Sequence, residues 1–114
     1  EGDIHIDHQD TANTAMVVLR PHENPTLSAI LAYETLSETE WSTPNPKNVF
    51  MPNVWSDISD TIEVKKDAML CYQSQIKDYP HPRSIRAIVA LAQYRGSTIG
   101  VEYAESFMLI RGRL

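Results

Sequence analysis

The chain has 114 residues and a formal net charge of -5. A chain of this length builds at most one small domain, and its acidic balance excludes the broad basic face that nucleic acid or an anionic membrane surface requires. A single cysteine, Cys71, excludes an internal disulfide, and no apolar run approaches the ~20 residues of a membrane span. These features fit a soluble protein of the reducing cytoplasm.

The first eight residues place His5 and His8, two of the four histidines, on either side of Asp7. Imidazole is suited to hold zinc or to move a proton near neutral pH, and a neighbouring aspartate can fix the tautomer and orientation of the ring. The stretch reads as part of a metal or acid/base site. The chain opens without a methionine and directly on this chemistry, whereas such sites lie at strand ends inside a fold, so a fragment with a missing preceding strand is expected.

From residue 9 to 19, Ala12, Ala15, Met16 and Leu19 fall on one helical face. Arg20 precedes Pro21, which stops that helix. His5 and His8 therefore lie at or just before its first turn, where the partial positive charge of the helix start favours neutral, coordinating imidazoles. Residues 21–27 are turn-like, and residues 28–34 (SAILAYE) read as a buried strand. Residues 35–52 form a long irregular loop, of a length that is usually functional or disordered. Within it Glu38, Glu40 and Trp41 are candidates for a sugar-like ligand, since an indole face stacks on C–H surfaces and carboxylates accept from hydroxyls. The plainer alternative is a solvated loop pinned by one tryptophan.

A strand is expected over residues 53–58, followed by a helix over 61–77 in which Asp60 caps and Glu63 completes the capping box. Ile62, Met69, Tyr72 and Ile76 form its apolar side and Glu63, Lys65, Lys66 and Asp67 its wet side, with Cys71 a small core residue. Prolines at 80 and 82 then break the chain. Ser84 caps a further helix with Ile85, Ile88, Val89 and Ala92 in phase, and Gly96 is expected to supply its left-handed stop. Residues 103–110 (YAESFMLI) read as a terminal strand buried on both faces, as in a parallel or mixed sheet covered by helices.

HIDH at 5–8, DISDTIEVKKDAMLCYQSQI at 57–76 and HPRSIRAIVALAQYRGSTIGVEYAESFMLIR at 81–111 together resemble the C-terminal half of the PIG-L/LmbE-like zinc-dependent de-N-acetylases, over nearly the whole chain. The resemblance implies an α/β fold, the C-terminal half of a Rossmann-like sandwich with three short strands and about three helices. It also implies hydrolysis of N-acetyl groups on glucosamine-containing or related substrates. Carried over by position, His8 is a zinc ligand and His5 stabilises the tetrahedral intermediate and protonates the leaving amine. Asp7 orients one of the imidazoles. The family's other ligands and its general base lie in a His-Pro-Asp-Asp motif that these residues lack, so the chain alone is expected to bind zinc weakly and to be inactive. Two alternatives stand beside this reading. One is a non-catalytic family remnant that binds a partner or self-associates through its sheet edge and the Trp41 loop. The other is an unrelated small α/β domain.

Overall fold

A computed structural model of the chain describes residues 4–43 and 49–113. In chain order it contains α1 (Ile6–Val18), β1 (Ala29–Tyr33), β2 (Val54–Asp57), α2 (Ile62–Leu70), α3 (Ile85–Ser97) and β3 (Ala104–Gly112). The strands form one antiparallel sheet in the order β1-β3-β2. The antiparallel pairing corrects the expectation of a parallel or mixed sheet: β3 is followed along its length by strands running the other way. The chain divides into two compact units, residues 1–54 with 107–114 and residues 55–106.

In the first unit, α1 half-buries Ala12, Ala15, Met16 and Leu19 and leaves the rest of its surface exposed. The expected face is the observed one. The helix begins at Ile6, earlier than the apolar period indicates, because no breaker occupies positions 6–8 and the His5 carbonyl accepts from the N–H of both His8 and Gln9 at 3.1 Å. At its other end the terminal carbonyls are satisfied from outside the helix. Asn24 Nδ2 donates to Val18 O at 2.7 Å, and Arg111 Nη1 donates to Leu19 O at 3.0 Å.

β1 pairs with β3 from Tyr33 opposite Phe107 to Ala29 opposite Gly112, with a bulge between Ile30 and Leu31. Its burial alternates: Ile30 and Ala32 are half-buried, while Ala29, Leu31 and Tyr33 face solvent. The expected buried strand is therefore a half-exposed edge strand. An apolar run of five residues cannot by itself tell a covered strand from a one-sided one; the position at the sheet edge decides it. On β3, Leu109 is likewise 40% exposed, so the strand is not covered on both faces. Asn53 ties to β3 twice, its N–H donating to Phe107 O at 2.9 Å and its Oδ1 accepting from Leu109 N–H at 2.8 Å.

The second unit holds the buried apolar residues Ile62, Ile88, Ala92 and Ala104. α2 ends at Leu70, well before the expected residue 77. Cys71 N–H reaches back to Ala68 O and Met69 O, tightening the last turn, and residues 75–77 are engaged elsewhere. Arg83 Nη1 donates to Gln75 Oε1 at 2.6 Å and Lys77 N–H donates to Arg83 O. As a result Tyr72 and Cys71 are exposed, not core residues. The expected Asp60 cap is also absent: Thr61 is the N-cap, without a side-chain capping bond. Glu63 instead pairs with Lys66 at 2.6 Å, and Lys65, read from sequence as merely solvated, pairs with Glu105 of β3.

The start of α3 is as expected. Ser84 Oγ accepts from Ala87 N–H at 3.1 Å, satisfying one of the orphan donors of the first turn. Ser84→Ala should cost about 1 kcal/mol of stability, read as a lower urea midpoint with an unchanged slope; an unaltered midpoint would show the cap to be idle. At the other end, Gly96 lies inside the helix, and the left-handed residue is Gly100 at φ 79°. Between them the chain doubles back, with Ile99 and Val101 N–H both donating to Gly96 O.

At the end of β2, Asp57 Oδ1 accepts from the hydroxyl of Ser59 at 2.6 Å and from its N–H at 2.9 Å. These bonds favour the carboxylate and hold the Asp57 pKa below its ordinary value, the hydroxyl contributing most. The associated stability is present above the unfolded-state pKa and is lost as pH falls through the lowered folded value. Ser59→Ala should move the Asp57 titration upward in a carboxyl NMR titration, and no movement would assign the depression to other groups.

Candidate functional site

His5, Asp7 and His8 come together because α1 starts there. His5 is the N-cap residue, with extended backbone (φ -75°, ψ 121°), and its side chain makes no capping bond. His8 follows within the first turn. Their rings stack with centroids 4.6 Å apart and planes inclined by 24°. Asp7 Oδ2 lies 3.9 Å from His5 Nδ1, within ion-pair reach but too far for a hydrogen bond. The Asp7 carboxylate therefore sits beside His5. Asp7 is also fixed in the helix through its carbonyl, which accepts from Thr11 Oγ1 at 2.6 Å.

Among the described residues no three His, Cys, Asp or Glu side chains are grouped so as to hold a metal ion. A catalytic zinc site takes three protein ligands and keeps an open position. What the described cluster can do unaided is hold or move a proton on an exposed imidazole with a carboxylate nearby.

Glu40 and Trp41 belong to the turn that follows β1. Thr35 O accepts from Glu38 and Thr39 N–H, Thr39 Oγ1 accepts from Thr35 N–H at 2.9 Å, and Ser37 adopts a left-handed backbone with φ 71°. Glu40 Oε1 accepts from Ser37 N–H at 2.5 Å, so its carboxylate closes the turn around that residue. Glu38 is the buried acid of the group, and Trp41 is 55% exposed. Trp41 is consequently not a fully buried anchor. Residues 44–48 of the loop expected over residues 35–52 lie outside the described residues.

A cleft of about 100 Å³ in the first unit went unnoticed in the sequence. It lies where the end of α1, the turn at 21–28 and the end of β3 meet, and it includes Arg111 and Arg113. The signal was present as two arginines two residues apart, Arg111 in β3 and Arg113 just past its end. Among the described residues no helix is long and apolar enough to cross a membrane. No family model, no curated protein and no solved structure matches the chain.

Proposed function

We propose that the chain is the C-terminal part of a zinc-dependent hydrolase that removes N-acetyl groups from glucosamine-containing or related substrates. The observation that carries this reading is the gathering of His5, Asp7 and His8 at the first turn of α1, in a chain whose HIDH, HPRS and YAESF segments follow the order of the PIG-L/LmbE-like enzymes. In this reading His8 is a metal ligand. His5, with Asp7 beside it, holds the proton that passes to the leaving amine as the amide C–N bond breaks. Glu40 shapes the turn that presents Trp41, and the exposed indole stacks on the sugar ring. The remaining ligands and the general base belong to a His-Pro-Asp-Asp segment, and the Rossmann-like sandwich to the assembled whole. The test is to assay a polypeptide carrying this chain together with such a segment for free amine released from an N-acetylglucosamine-type substrate. Release that depends on added zinc supports the reading, and its absence in a folded, zinc-loaded protein overturns it.

A second reading, self-association as a binding module, is favoured by the outer face of the sheet. Leu31 is 43% and Tyr33 71% exposed on edge strand β1, which carries no charge or proline to blunt pairing. A second copy would cover these residues and Leu109, which is opposite Leu31. Sedimentation should then show a concentration-dependent dimer that Tyr33→Lys disperses to monomer. A wild-type monomer at high micromolar concentration would exclude it.

A further inference from the structure

We infer that the cleft at the end of α1 is a binding site for a small carboxylate with a short apolar tail, separate from the histidine cluster. Its charged lining residues are both cationic: Arg111 and Arg113 contribute, and no Asp or Glu does. Each guanidinium is pinned by one backbone carbonyl, Arg111 Nη1 donating to Leu19 O at 3.0 Å and Arg113 Nη1 to Pro25 O at 2.5 Å. Neither makes an ion pair with a carboxylate among the described residues.

A guanidinium has five N–H donors, and one carbonyl bond apiece leaves a donor surplus on two forks held in place. In a chain with net charge -5, two cations that line one cleft and meet no carboxylate among the described residues stand out. Both side chains line the one cleft, so an anion seated there is attracted by both charges. A carboxylate is the matching acceptor, since its two oxygens meet a planar fork in parallel.

The rest of the lining selects among anions. Leu19, Pro25, Leu27 and Ile30 give the cleft an apolar wall, which suits a hydrocarbon tail and offers nothing to a fully hydrated oxyanion. The volume of about 100 Å³ suits a short hydrocarbon tail. Propionate is of the right kind. The 13 residues of α1, at about 1.5 Å each, separate this end of the helix from His5 by roughly 20 Å, so the two sites can be tested independently.

The experiment titrates the full chain with sodium propionate at constant ionic strength, following amide and arginine Nε–H NMR resonances. Saturable shifts confined to the lining residues are expected, weakened about tenfold or more in Arg113→Gln, the loss of one charge-assisted contact. Arg113 is exposed, so this variant keeps the fold; Arg111→Lys gives a second reading, retaining charge while losing the planar fork, and should also weaken binding. Sulfate binding as tightly as propionate would overturn the assignment of an apolar-tailed carboxylate. Absence of saturation, or equal affinity in wild type and Arg113→Gln, would overturn the site itself.

Discussion

Gly96→Ala should destabilise the chain by about 2–3 kcal/mol, even though alanine is the better helix former by about 1 kcal/mol. A Cβ at position 96 would lie 2.7 Å from Val101 O and 2.8 Å from Glu102 O. Both neighbours are backbone, so neither can rotate away. They belong to the return segment leading into β3, and Val101 N–H donates to Gly96 O. Displacing that segment disturbs the packing of Ala92 and Ala104, two of the four buried apolar residues of the unit. A shift of this size should lower the thermal midpoint by roughly 10 °C or more. Gly100→Ala is the informative comparison. Nothing lies within 4 Å of its added Cβ, but its φ of 79° strains an L side chain, at a cost of about 1–2 kcal/mol. The clash account therefore fails if Gly96→Ala is the milder of the two changes.

These two glycines also mark what could be read from the sequence and what could not. All six elements were legible in their observed order, and so were the half-buried face of α1 and the serine cap of α3, because period and capping are local properties. Gly96 looked like a helix stop because glycine often is one. Its actual role is to admit a backbone five residues on, and that contact is tertiary. The same applies to the segment after α2, where Arg83 donates to the Gln75 side chain, and to β1, whose exposure depends on which strand lies next to it. At the site, the pattern divides the same way. The His5, Asp7 and His8 cluster was legible because one helical turn assembles it. The engagement of Glu40 with Ser37 N–H was not, since it rests on a left-handed serine that carries no sequence signature.

The two histidines should separate cleanly when the proposed activity is assayed. In a polypeptide that also carries the His-Pro-Asp-Asp segment, His8→Ala should release zinc and abolish turnover, whereas His5→Ala should retain zinc and lose turnover by about 100-fold or more, the scale of one general acid or oxyanion contact. Neither change should unfold the protein, because both side chains are exposed and neither caps the helix. Melting temperatures within a few degrees of wild type are thus part of the expected result. The rings stack at 4.6 Å, so each substitution also removes a packing partner of the other. His5→Phe keeps an aromatic face against His8 while removing the transferable proton, and it should match His5→Ala in turnover. If His5→Phe restores activity, His5 acts only by bracing His8. If both alanine variants lose zinc equally, His5 belongs among the ligands and the proton donor must be sought elsewhere.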